Sequence, residues 1–211
     1  MNNILIAILS YLIGTINPSY IIAKMKGFDI RKKGSKNAGG SNALITMGNK
    51  IGVFCMVFDI LKAFLVVKIA YHFKLSPIMI AVVIDMVILG HMFPFYMNFK
   101  GGKGLACLGG CVLAYDWKLF LIMLLAELVL AYLVDYICFA SITASIAFTI
   151  IYSVRNSCIY CALILSVVCF ATFYKHIVNI KRVINGTEAR FSFLWHKGDE
   201  LERIKKVNED A

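Results

Sequence analysis

The chain has 211 residues, of which 60% are hydrophobic and 16% charged, whereas soluble domains run at roughly 45–50% apolar and about 25% charged. Together with a mean hydropathy of +0.78, this excludes an ordinary water-soluble globule, a coiled coil, a collagen-like chain and a disordered tail, and leaves a chain threaded repeatedly through a bilayer. A formal charge of +10 would suggest nucleic acid in a soluble protein; in a membrane chain it divides among lipid headgroups, loop bias and a pocket for an anionic substrate.

The first apolar run, residues 4–22, is followed at once by Lys24, Lys26, Arg31, Lys32, Lys33 and Lys36. A cleaved signal peptide carries its positive charge before the apolar stretch, so this run predicts an anchored helix. Further crossings are predicted at 51–71, 77–96, 104–115, 119–136, 140–154 and 158–174. The fourth and sixth fall short of the roughly 20 residues a crossing takes, which allows tilted or re-entrant segments there. The expected fold is an all-α integral membrane protein, a seven-transmembrane-helix bundle forming one multi-pass domain over 1–211.

Seven crossings put the two ends on opposite sides. Seventeen of the 22 lysines and arginines fall in 24–50, in 100–103 and from Lys175 onward; Lys74, Lys118 and Arg155 fall in the other loops, and Lys62 and Lys68 within the second run. The positive-inside rule then places the N-terminus outside, the C-terminus in the cytoplasm, and three polar motifs (about 29–48, 99–104 and 136–188) on the cytoplasmic face.

Those motifs carry the residue types that bind phosphate. In Gly34-Ser35-Lys36-Asn37-Ala38-Gly39-Gly40-Ser41-Asn42, glycines free the backbone to turn its N–H groups inward while Ser and Asn add short donors, the composition of an anion nest. In Lys100-Gly101-Gly102-Lys103-Gly104, glycines bring backbone close to a ligand and set an ammonium beside it. This is not a Walker A loop, since no Ser or Thr follows Lys103 and the preceding Gly is missing, which disfavours a nucleotide hydrolase. Taken singly, each motif also reads as a flexible basic loop.

After the last run, His176, Asn179 and Arg182 stand three residues apart and share one surface of a continuing helix. An interfacial helix facing lipid headgroups is the other reading. Ser141, opening the sixth run, reads by itself as a helix cap. Asp59, Asp85, Glu127 and Asp135 lie in or near apolar runs, where carboxylates are costly and can mark an ion path; for Asp59 and Asp135 pairing with Lys62, Lys68 or water is the structural alternative. Cys55, Cys107, Cys111, Cys138, Cys161 and Cys169 lie in apolar stretches as small hydrophobes. Cys158 and Cys161 form a single CxxC, a weak metal or redox signal. No metal-ligand spacing is visible, so neither a metal nor a cofactor is expected.

Taken jointly, the motifs resemble those of a known family, the bacterial membrane acyl-phosphate:glycerol-3-phosphate acyltransferases called PlsY. The match runs along nearly the whole chain. It is carried by Gly14-Thr15-Ile16-Asn17-Pro18-Ser19-Tyr20, by Asp29-Ile30-Arg31-Lys32-Lys33-Gly34-Ser35-Lys36-Asn37-Ala38-Gly39, by Gly90-His91-Met92-Phe93-Pro94, by Phe99-Lys100-Gly101-Gly102-Lys103-Gly104, and by Asn179-Ile180-Lys181-Arg182 through Asn185-Gly186-Thr187-Glu188.

The resemblance implies a seven-helix bundle in the bacterial plasma (inner) membrane that transfers a fatty acyl group from acyl phosphate to glycerol 3-phosphate, giving lysophosphatidate for phospholipid synthesis. Its partners are then those two substrates and membrane lipid, with no nucleic acid. By position, Ser35, Lys36, Asn37, Asn42, Gly101 and Gly102 would bind substrate phosphate. Lys103 would neutralise phosphate, Ser141 would donate a hydrogen bond, His176 with Asn179 would orient glycerol 3-phosphate, and Glu188 would brace its loop. The other common acyltransferase class places an Asp five residues after a His, which none of His72, His91, His176 or His196 has.

The chain departs from the pattern at Ile45, where the family usually has an Arg that holds phosphate; Ile offers no donor. Lys36 stands where Gly is usual, Cys138 where a Ser is common, and Ile177-Val178 replaces a polar pair. Three explanations stay open: Lys36 or Arg31 supplies the charge, the substrate differs, or the protein is a paralogue with weakened activity and a binding or regulatory role. A small-anion transporter is the alternative from another class.

Overall fold

The computed structural model describes residues 3–188 and 190–194, and among these every predicted run is helical. The order is α1 (Asn3–Thr15), α2 (Pro18–Met25), α3 (Gly40–Met47), α4 (Asn49–His72), α5 (Pro77–Met92), α6 (Leu105–Tyr115), α7 (Trp117–Val134), α8 (Ile137–Arg155) and α9 (Ile159–Ile184). Met1, Asn2, Ala189 and the stretch from Trp195 on, with His196 and part of the basic tail, lie outside the described residues.

The first run is not one helix. It breaks at Ile16 and Asn17 into α1 and α2, which meet at 43°. Proline has no N–H to donate and drives its preceding residue out of the α region; Asn17 accordingly sits at φ −121°, ψ 96°, and its side chain caps α2 by accepting from Tyr20 N. The break keeps the Ile16 carbonyl outside either helix.

Sequence patterning also predicts a loop over 34–42, and there the chain instead begins α3 at Gly40. Gly48, at φ +90°, turns α3 into α4, a backbone conformation that suits glycine.

Among the described residues, four helical segments are long and apolar enough to cross a membrane, Pro77–Met97, α7, α8 and α9, with a fifth if the bent α1–α2 pair is one span. α4 has the length but carries Asp59, Lys62 and Lys68. With 11 residues, α6 reaches about 16 Å, well short of the ~30 Å hydrocarbon core. Of the seven crossings expected from the sequence, two of them short, length and polarity support four, or five with the bent pair, among the described residues.

α5 stands at the centre. Two-thirds of its apolar window (67%) is buried, against 17% for α7, whose Leu121, Ile122, Leu125, Leu128 and Leu133 face outward. Small residues let α1 approach α5 closely: a Cβ on Gly14 would lie 2.2 Å from the Val87 carbonyl oxygen, and one on Gly90 would lie 2.2 Å from that of Tyr11. Such close crossings are how helices associate where the solvent is as apolar as their side chains. At the far end, Cys158 caps α9 by accepting from Cys161 N at 3.2 Å.

Candidate active site

The first motif is a folded loop held by its own side chains. Asp29 caps the short 3-10 turn Ile30–Lys32 by accepting from Arg31 N. The Arg31 guanidinium pairs with the Asp29 carboxylate at 2.7 Å, donates to the Met97 carbonyl at 2.7 Å and lies over the Tyr20 ring at 4.9 Å. That guanidinium holds the Asp29 carboxyl down at about 2. Arg31 is therefore committed to tying this loop to the segment after α5.

Asn42 is fully buried on α3. Its amide nitrogen donates to the carbonyls of Ile30, Lys33 and Asn37 at 2.9–3.0 Å, and its oxygen accepts from Ser35 N at 2.9 Å. The expectation that Asn42 meets substrate gives way to a bracing role, because its polar atoms already fold the loop. Ser35 and Lys36 are exposed, and Asn37 is half-buried against Gly39. Lys36 adopts φ +61°, the left-handed region that costs a side chain roughly 1–2 kcal/mol and that the glycine implied here by the resemblance would adopt freely. Ile45 is 54% exposed on the same helix as Asn42.

The second motif lies on the end of α5. Gly101 N donates to the Met92 carbonyl at 3.0 Å and Gly102 N to that of His91 at 3.1 Å. A Cβ on Gly101 would fall 2.2 Å from His91 O, and one on Gly102 would fall 2.1 Å from His91 Nε2. The glycines thus serve close packing on α5, where both N–H groups have carbonyl partners, whereas the sequence reading sets Gly101 and Gly102 beside substrate phosphate. The donors that this turn presents are at the start of α6, where the first-turn N–H groups have no partner within the helix and Gly104 gives no side-chain cap.

The third motif closes the site. Lys103 Nζ donates to Asn179 Oδ1 at 2.6 Å, and Asn179 Nδ2 donates in turn to Glu188 Oε1. Glu188 is presented by the turn that ends α9, in which Gly186 takes φ +69° and both Thr187 N and Glu188 N donate to the Arg182 carbonyl. Burial lowers the proton affinity of the Lys103 ammonium, and the Glu188 charge pulls the other way. His176, one helical turn before Asn179, is 2% exposed, and neither ring nitrogen has a hydrogen-bond partner among the described residues. Ser141 is buried on α8 but is not a cap: Tyr136 holds that position, and the Ser141 hydroxyl donates back to the Ile137 carbonyl at 3.4 Å.

The carboxylates that suggested an ion path have separate settings. Asp59 pairs with Lys62 at 2.7 Å, Glu127 accepts from Thr143 at 2.9 Å, and Asp135 accepts from the Ser192 amide and hydroxyl; Asp85 is buried, and its Oδ1 has no hydrogen-bond partner among the described residues. Asp59, His91 and Cys107 bring possible metal-ligand atoms within 4.8 Å of one another. Lys62 Nζ already puts a positive charge there, 2.7 Å from Asp59 and 3.1 Å from His91 Nδ1. Sequence reasoning missed this Lys62–His91 contact; the Gly90-His91-Met92-Phe93-Pro94 motif was its signal. A surface depression of about 720 Å³, lined in part by Lys68, Tyr115, Trp117 and Arg155, contains none of the expected site residues.

Comparison with known proteins gives a consistent picture. A family model described as glycerol-3-phosphate acyltransferase matches residues 4–186. A glycerol-3-phosphate acyltransferase of Bacillus subtilis (strain 168) is 37% identical over 193 residues, covering 90% of this chain and 98% of its own. One from Thermotoga petrophila is 37% identical over 187 residues, covering 88% and 95%. The crystal structure of PlsY (YgiH), an integral membrane glycerol 3-phosphate acyltransferase, superposes in its glycerol 3-phosphate form with a TM-score of 0.82 at 34% identity, covering 91% of this chain and 96% of that one. Its lysophosphatidic acid form gives a TM-score of 0.79 at 33% identity.

Proposed function

The chain belongs to the glycerol-3-phosphate acyltransferase family, and from that premise we propose that it moves a fatty acyl group from acyl phosphate to a hydroxyl of glycerol 3-phosphate in phospholipid synthesis. The hydroxyl oxygen attacks the acyl carbonyl carbon, the bond from that carbon to the phosphate oxygen breaks, and inorganic phosphate leaves with the bonding electrons. Lysophosphatidate is the other product. Acyl phosphate is a mixed anhydride with a good leaving group, so no Ser or Cys acyl-enzyme is needed. The work left to the protein is holding two phosphate anions in line and supplying fixed positive charge.

The single observation that carries this reading is the His176 ring, buried beside the Lys103–Asn179–Glu188 link with both nitrogens unpartnered. An unsatisfied buried polar group costs about 1–3 kcal/mol, and a substrate hydroxyl or phosphate relieves that cost. On this reading His176 and Asn179 orient glycerol 3-phosphate, and the hydroxyl proton passes to His176 or to a phosphate oxygen. Lys103 and the α6 N-terminus hold phosphate, and Ser141 adds a hydroxyl. Ser35, Lys36 and Asn37 close the site from the first motif. Gly101, Gly102 and Asn42 keep the loops in place.

The same reading gives a single multi-pass domain in the bacterial plasma membrane. α4 and the short α6 count among seven passes, the N-terminus lies outside, and the C-terminus and the site lie at the cytoplasmic face. The concentration of basic residues in the three site-bearing segments supports that orientation; reporters fused to each terminus test it.

Purified protein in lipid, given acyl phosphate and radiolabelled glycerol 3-phosphate, tests the chemistry. Labelled lysophosphatidate is the expected result. Uptake of label into vesicles without product would replace the enzyme by a transporter, and the absence of both product and uptake would leave a binding role.

A further inference from the structure

Beneath the second motif lies a buried polar group that the proposed chemistry does not use. Lys62 Nζ is surrounded by the Ile16 carbonyl oxygen at 2.5 Å, Asp59 Oδ1 at 2.7 Å and His91 Nδ1 at 3.1 Å. An ammonium has three protons; with His91 in the tautomer whose Nδ1 accepts, these three groups satisfy it and Lys62 has nothing left for a ligand. When Lys62 donates to Nδ1, a neutral His91 ring carries its proton on Nε2, the atom that lies against Gly102. The His91 carbonyl takes the Gly102 N–H. Ring and backbone of one residue therefore form the floor of the turn from which Lys103 reaches Asn179.

The group also reaches the first motif. The Ile16 carbonyl that Lys62 holds belongs to the break between α1 and α2. The next residue, Asn17, donates from its side chain to the Ala38 carbonyl at 2.8 Å. One lysine thus links the support of the first motif to the support of the second.

We infer that Asp59, Lys62 and His91 form a positioning unit for the site described above, an inference that rests on the functional reading just given. The unit touches no substrate. It fixes where Lys103 and the start of α6 stand relative to the first motif, and disturbing it loosens the hold on substrate phosphate.

The test is steady-state kinetics in lipid, beginning with the wild-type chain. Lack of product there removes the functional reading and says so separately. With an active wild type, His91→Ala raises KM for at least one of the two phosphate substrates about tenfold, and His91→Gln, whose amide reaches the place of Nε2, recovers most of that loss. Gly102→Ala lowers kcat/KM by about tenfold or more, because its methyl meets the ring. Adding His91→Ala removes the obstruction, so the double variant is no worse than His91→Ala alone, the non-additivity expected of residues in contact. Unchanged KM values in His91→Ala, or losses that simply multiply in the double variant, overturn the inference. Should His91→Ala yield no folded protein, the Gly102→Ala/His91→Gln pair decides: the flexible amide can move aside, so recovery over Gly102→Ala supports the unit and equal losses overturn it.

Discussion

Lys62 and Lys103 are both lysines taken largely out of water, on either side of the Gly101–Gly102 turn, yet their surroundings differ. Lys62 has a carbonyl, a carboxylate and an imidazole nitrogen around one ammonium. Lys103 reaches one amide oxygen, which passes the contact on to Glu188, and beside it His176 keeps two unpartnered nitrogens. The first group is closed and the second is open. Burial penalises unfilled polar valence, so a closed group stabilises a fold while an open one is completed by a ligand. On the proposed function, the contrast separates the residues that hold the site together from those that act in it.

The strongest way to break the contrast is to open the closed group. Lys62→Met leaves the Asp59 carboxylate buried without its ammonium, and removing one partner of a buried pair costs about 3–5 kcal/mol. Denaturant or thermal unfolding in detergent should show that loss, and Asp59→Asn added to Lys62→Met should restore much of it. Equal stability of Lys62→Met and wild type would mean the group is not closed as described.

His176→Ala should do the reverse. It removes a side chain that makes no hydrogen bond among the described residues, so the unfolding midpoint should move little. Lysophosphatidate formation should fall at least about tenfold, equivalent to roughly 1.4 kcal/mol of barrier, and unchanged turnover would take His176 out of the site. A loss of stability with turnover intact would make it a core residue.

Charge sharpens the comparison further. Burial lowers the pKa of Lys103 below that of an ordinary lysine, so its ammonium is lost earlier than usual as pH rises. Activity that needs this charge should decline on an alkaline limb of kcat/KM. An arginine stays protonated throughout that range, so Lys103→Arg should move the limb to higher pH in whatever activity it retains. A limb that stays in place would assign it to another group.

Much of this was legible in the sequence, for identifiable reasons. The apolar runs became helices because a helix satisfies all of a segment's backbone groups within that segment in lipid, and the pairing of Asp59 with Lys62 follows from their three-residue spacing on one helix face. The third motif gave His176 and Asn179 for the same reason. Long-range contacts were not legible. Nothing local in Gly101-Gly102 shows whether its N–H groups serve a ligand or the end of α5, and nothing in Asn42 shows that its amide is used up by Ile30, Lys33 and Asn37. The Asn17-Pro18 signal for a break was present in the sequence, but hydropathy over a long window averages it away.

Ile45 is the position where the resemblance implies an Arg, and the structure narrows what can supply such a charge in its place. Arg31 is spent on Asp29, Met97 and Tyr20, which leaves the exposed Lys36 as the first motif's candidate for the missing charge. Ile45 stands one helical turn after Asn42 with half its surface exposed, so an arginine there meets no packing obstacle and little cost in stability. If the site lacks a cation at this position, Ile45→Arg should lower KM for a phosphate substrate by up to about tenfold, the effect of a charge-assisted pair of roughly 1.4 kcal/mol. The double variant Ile45→Arg/Lys36→Ala should then retain that gain. If Lys36 already fills the role, Ile45→Arg alone should change little, while Lys36→Ala should raise KM and Ile45→Arg should repair it. Kinetics on these three variants therefore decide which residue completes the open side of the site.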